Sequence, residues 1–211
     1  MKKNVVVKNL VLPRIFGLFF NSANNPIFEN KEVREALNKT VDKQFIIEEA
    51  LNGYGAEINS PIPEQGVELQ KDLSFVAQTK KEKYAAAKQI LEKNGWKLNS
   101  EGVYEKTANK KTNKLAFSIS TSNTPSLIKT AEILKDEFNN IGADVSLKIF
   151  EIGDLNQTVI RRRNYDALVF GEVVGKDPDP FSFWHSSQRN DPGLNIAMYA
   201  NDSVDKILEE A

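Results

Sequence analysis

With 211 residues, 40% of them apolar and 27% charged, the chain is long enough for one large domain or two small ones and has the composition of an ordinary globular protein, which sets aside disordered, collagenous and coiled-coil classes. Basic and acidic side chains nearly cancel at a formal charge of −1, so the basic excess of a nucleic-acid binder is missing. The lack of cysteine removes thiolate catalysis, thiolate metal sites and disulfides together.

The N-terminal stretch has a basic start and apolar positions, but Lys8, Asn9, Pro13 and Arg14 interrupt any run long enough for the core of a signal peptide. No window elsewhere approaches the roughly 20 apolar residues of a spanning helix. Gly17 to Phe20 reads as a buried strand, and Ser22 to Pro26 as a polar turn. Asn30 is placed to cap a helix carrying Val33, Ala36, Leu37 and Val41, and Asp42 to cap a second one carrying Phe45, Ile46, Ala50 and Leu51 before Gly53. From Tyr54 to Ser74 the prolines and Gly66 predict a long, stiff loop. Thr79 and Glu82 have capping-box spacing ahead of Tyr84, Ala87, Ile90 and Leu91, and Asn94 with Gly95 ends that helix.

A small hairpin is expected over 96–107, followed by a lysine-rich connection on the solvated edge. Leu115, Phe117, Ile119 and Thr121 alternate as in a strand. Thr124 and Pro125 open a helix that Gly142 closes, and Val145, Leu147 and Ile149 form a returning strand. A shorter amphipathic piece from Asp154 to Arg162 precedes Ala167 to Phe170, whose unbroken apolarity suits a strand buried on both faces. The order β-α-β-α-β predicts an α/β layer with helices on a mostly parallel sheet. Asp177 to Pro180 is a proline-locked turn, Phe181 to His185 one helical turn, and Ser203 to Glu210 a last helix whose pattern still runs at Ala211 and is expected to continue in a longer parent.

Few residues carry chemistry. His185 is the single histidine, so a two-histidine metal motif cannot be built and a packing role weighs more than a catalytic one. Asp177 and Asp179, pinned by Pro178 and Pro180, suit turn capping better than paired acid–base work. Arg161 to Arg163 fit solvated capping of a helix C-terminus. Phe181, Phe183 and Trp184 cluster past the buried strand, where open α/β sheets place ligands, although core packing explains aromatics equally well. There is no phosphate loop and no nucleophile elbow, and no cofactor is expected.

The segment NPIFENKEVREALNKTVDKQFIIEEALNGYGAEINSPIP resembles the peptide, dipeptide and nickel solute-binding proteins of ABC importers, in which a pattern like D-x-x-V-R-x-A-[LI]-x-x-A-[IV]-D-[RK] leads to an N-S-P-I-P loop. Here the matching positions are Val33, Arg34, Ala36, Leu37, Val41, Asp42 and Lys43, then Asn59 to Pro63. KYAAAKQILEKNGW, the β-α-β of 115–150 and NYDALVFGEVVGKDPDPFSFWHSS come next in the family's order. The resemblance implies a mixed sheet with flanking helices, forming one lobe of a two-lobed, type II periplasmic-binding-protein-like fold. On this reading 1–211 is a single lobe of a larger protein, with 1–16 next to the hinge.

For function, the resemblance implies capture of a peptide or similar small polar solute between two lobes, with a partner first lobe, a membrane permease, an extracytoplasmic location, a monomeric state and no nucleic acid. Family members often carry an aspartate shortly after the buried strand, in a W-x-A-D-Y-like stretch, to pair with a peptide's amino group. This chain has Glu172, Val173, Val174, Gly175 and Lys176 there, so Glu172 or Asp177 substitutes or the ligand is not a free peptide. The expected ligand wall comprises Glu172, Asp177, Phe183, Trp184 and His185, with Arg14 and Asn21 near the hinge. The rivals are a sensory or chaperone-like binding protein of the same fold, and a hydrolase using Asp177, Asp179 and His185.

Overall fold

The computed structural model describes residues 14–60, 78–108, 110–173 and 179–210. The expected proline-rich loop from 61 onward, most of the hinge-proximal segment 1–16, and Asp177 lie outside them.

Strand β1 (Arg14–Phe20) leads through a short turn at Pro26–Glu29 into α1 (Lys31–Thr40) and α2 (Lys43–Leu51). Asp42 accepts a hydrogen bond from the Phe45 backbone amide, as expected of a cap, and α2 ends on Asn52 in the left-handed region, followed by Gly53. Asn30 occupies the cap position of α1, but its side chain donates backward to the Ile27 carbonyl instead. Helix α3 (Lys80–Lys93) starts with the full capping box: Glu82 N–H donates to Thr79 Oγ1 and Thr79 N–H to Glu82 Oε2.

Three short strands, β2 (Lys97–Leu98), β3 (Tyr104–Ala108) and β4 (Lys111–Lys114), form a small antiparallel sheet. The lysine-rich connection expected after the hairpin is therefore partly a third strand. Its polarity hides it in sequence, while a cross-strand contact between the Thr107 and Thr112 hydroxyls, 2.8 Å apart, and a Lys114 Nζ–Glu101 pair at 2.7 Å to the β2–β3 turn hold it.

The main sheet is built from β5 (Ala116–Ser122), α4 (Pro125–Asn140), β6 (Asp144–Phe150) and β7 (Ala167–Val173), in the order β1-β7-β5-β6. β5 runs parallel to both β6 and β7, and β1 lies antiparallel to β7 at the edge. Gly142 closes α4 at φ 89°, and a Cβ there would lie 2.9 Å from the Tyr104 ring, so the same glycine ends the helix and admits the aromatic. Between β6 and β7 the amphipathic piece is a short helix, α5 (Ile152–Asp154), continuing in wide π-helical turns over Leu155–Ile160 that bury Leu155 and Val159.

Two apolar clusters sandwich the sheet. Ala167 and Val169 point into the larger one, with α1, α3 and α4, and Leu168 into the smaller one, with Leu155, Val159, Tyr165 and Ile196. That alternation is the physical content of an unbroken apolar strand. The stretch Gly17 to Phe20, expected to be buried, lies in an edge strand and is half-covered: Phe19 is buried, while Gly17, Leu18 and Phe20 are half-buried. The chain closes with α6 (Phe181–Trp184) and α7 (Asp202–Glu210).

Candidate functional site

Edge strand β1 floors a concavity of about 400 Å³. Arg34 of α1, Lys43 of α2 and the segment 58–60 line one side, and Glu172 at the end of β7, Trp184 of α6, Ala197 and Tyr199 line the other. Its floor is largely apolar because β1 presents Ile15 to Phe20 there.

Backbone register places Glu172. It stands opposite Ile15, one step from the Phe16–Gly171 pair. A Cβ on Gly171 would fall 2.8 Å from the Phe16 ring, so a residue without a side chain lets that ring lie across β7. The Arg14 guanidinium sits 5.8 Å from the centre of the same ring. Burial pushes the Glu172 carboxyl up to about 7, so the concavity holds an acid that is part neutral near neutral pH.

The opposite aromatic side depends on a residue without any signal in the sequence. Asn195 is fully buried, and its side-chain amide reaches the carbonyls of Trp184 (3.3 Å), His185 (3.1 Å) and Tyr199 (2.9 Å), while its oxygen accepts from Tyr199 N–H. It thereby fastens the segment after α6 onto α6, and the Trp184 and Tyr199 rings meet edge to face with centroids 6.4 Å apart. Arg163, at the end of the π-helical turns, donates to the carbonyls of Ile160, Arg189 and Gly193. Arg163, the last of the arginine run, thus caps its own turn and also ties down the C-terminal segment.

The expected site residues separate. Glu172 and Trp184 line the concavity. His185 is buried behind α6, its ring stacked on Phe181 at 4.2 Å, Nδ1 accepting from Ser187 N–H, and Nε2 3.4 Å from Glu209. Phe183 is half-buried on the same short helix and does not line the concavity. Asp179 accepts from Phe181 N–H, the turn cap expected of it, and Asp177 lies outside the described residues.

Arg14 and Asn21, expected together near the hinge, stand at opposite ends of β1, about 23 Å apart at strand rise. Asn21 is buried and donates to the Arg163 carbonyl, so its amide is committed to the fold. Nearby Asp166 accepts from Asn24, the Ser118 amide and the Ser118 hydroxyl, another polar knot that spacing alone did not reveal. Among the described residues no cluster of three or more His, Cys, Asp or Glu side chains is arranged to hold a metal, and no helix is long and apolar enough to cross a membrane.

The family model for bacterial extracellular solute-binding proteins, family 5 Middle, matches residues 1–193. The oligopeptide-binding protein AppA of Bacillus subtilis is 29% identical over 209 residues, which is 98% of this chain but 37% of that protein. The structure of that AppA in complex with a nonapeptide superposes with a TM-score of 0.77 at 27% identity, covering 94% of this chain and 38% of the other. NikZ from Campylobacter jejuni in complex with Ni(L-His) gives 0.76 at 28%, with the same coverage. The chain thus spans little more than a third of the length of these relatives.

Proposed function

The chain belongs to the bacterial extracellular solute-binding proteins of family 5, and from that premise we propose that it forms one lobe of a non-catalytic binding protein that captures a peptide or similar small polar solute for a membrane importer. The observation that carries this reading is the β1 concavity, where a half-buried carboxyl, an aromatic pair and an apolar floor converge in one open hollow. Such a hollow suits a ligand with a cationic or hydrogen-bonding group beside apolar bulk. Binding-protein relatives of similar architecture, one holding a nonapeptide and one Ni(L-His), support the solute class. In this reading Glu172 and Trp184 contact the solute, Arg14, Phe183 and His185 stand behind or beside the wall, and Asp177 is kept as a proposed solute contact. The partner first lobe, the permease, the extracytoplasmic location and the monomeric state are part of the proposal.

Periplasmic binding proteins close around their ligands by a hinge motion between two lobes, and that motion sets the test. One wall offers about half of the contacts, yet association still costs several kcal/mol in lost translational and rotational freedom. At about 1.4 kcal/mol for each tenfold in affinity, a micromolar two-lobed protein becomes a millimolar single lobe. Calorimetry with a nonapeptide against the 211-residue chain and against a two-lobed protein containing it should show that loss. Equal affinities would refute capture between two walls.

A further inference from the structure

Lys43 is the first residue of α2 and lines the concavity, yet its ammonium group is turned to the protein. Nζ donates to the Ile58 carbonyl at 2.6 Å and to Asn59 Oδ1 at 2.9 Å. Between Gly55 and Ser60 the backbone belongs to no helix or strand, and the two bonds from Lys43 tie this rim of the hollow to α2.

The post on which the lysine stands is itself fixed. Asp42, the preceding residue, caps α2 through Phe45 N–H, donates its own N–H to Glu137 Oε2 of α4, and lies 3.4 Å from Lys83 Nζ of α3. Two neighbouring helices, α3 and α4, thus hold the start of α2, and a charged donor reaching from it transfers that rigidity to the rim. Arg34, next door, donates to the Phe28 and Glu29 carbonyls. Both cations on this side of the hollow are thus engaged with backbone carbonyls.

We infer that Lys43 is a positioning residue: it clamps segment 58–60 against α2 so that the rim stands ready before a solute arrives. The inference rests on the reading of the β1 concavity as the solute wall. A preplaced rim spares the solute the entropy of ordering that loop, which is the general benefit of preorganisation. An ammonium has three N–H groups, so one lysine serves the Ile58 carbonyl and the Asn59 amide oxygen at once.

The chain has no cysteine, so a nitroxide on Glu57→Cys, at an exposed position beside the rim, reports that segment alone. In the 211-residue chain the spin label should be immobilised with Lys43, mobile in Lys43→Met and immobilised again in Lys43→Arg, with all three melting together. In the two-lobed protein, Lys43→Met should speed release of a bound nonapeptide about tenfold and Lys43→Arg should restore it. A label equally immobile in Lys43→Met overturns the clamp whatever the peptide does. A mobile rim with unchanged release also overturns the inference. In that case Glu172→Gln and Trp184→Ala, assayed beside it, separate the causes: if they weaken binding the hollow is the site and only the rim is dispensable, and if they too are silent the site itself lies elsewhere.

Discussion

Replacing Glu172 by Gln should stabilise the protein at pH 8 and leave it unchanged at pH 4. Burial raises this carboxyl from 4.5 to about 7 in the folded chain, so the folded state binds its proton more tightly than the unfolded state does. The stabilising effect of that proton is fully present below about 4.5 and is lost as the pH rises through about 7, above which folding must carry a half-buried charge. At about 1.36 kcal/mol per pH unit the ceiling is about 3 kcal/mol, and screening by the solvent that reaches the concavity reduces it to about 1–2 kcal/mol. For a chain of this size that corresponds to a rise in Tm of about 3–6 °C at pH 8. Thermal melts of both proteins at pH 4, 6 and 8 isolate the effect, because every other titrating group is common to the pair. A Tm difference that is the same at all three pH values refutes the burial argument. If the same substitution weakens solute binding while raising Tm, the strained acid is held for function, the usual exchange of stability for activity at a working site.

Val169→Asp puts an unpaired charge into the larger apolar cluster beneath the sheet, where Val169 is 2% exposed, and should abolish cooperative melting followed by circular dichroism, at a cost of about 4 kcal/mol or more. Asn195→Ala leaves the Trp184, His185 and Tyr199 carbonyls without their shared donor. It should cost about 2 kcal/mol and shift Trp184 fluorescence to the red, whereas Trp96, fully buried and bonded to Glu32, stays unchanged.

Local chemistry made the helices and the central strand legible. The Thr79–Glu82 box, the Asp42 cap, Pro125 at the head of α4 and Gly142 at its end are decisions taken within four residues, and each appears where spacing placed it. Ala167 to Val169 was legible for a different reason: a run without polar breaks fits only a strand covered on both faces. β4 was not, because its four residues are polar and pair only once Thr107 and Glu101 are in place. The candidate site was harder still. Glu172 and Trp184 come from separate elements that β1 brings to one hollow, and Arg14 and Asn21 looked close in sequence only until strand geometry set them at opposite ends. Asn195 sits in a loop with no periodic signal, and only its burial among three carbonyls identifies its role.

The pattern through which the chain resembles its family acquires a structural meaning from these contacts. Val33, Ala36 and Leu37 are core positions of α1, Arg34 braces the turn at Pro26–Glu29, Asp42 caps α2 and joins it to α4, and Lys43 holds the rim at 58–59. Among these contacts, then, the pattern builds and steadies the wall on one side of the hollow, and no contact in it singles out a solute. Glu172, Trp184 and Tyr199 stand on the other side. On the proposed reading, a scaffold encoded on one flank and a ligand-facing set on the other would let one architecture serve relatives that hold a nonapeptide and Ni(L-His) alike. Exchange of solute specificity should therefore be sought at Glu172, Trp184 and Tyr199, with Arg34, Asp42 and Lys43 kept in place to hold the opposite wall.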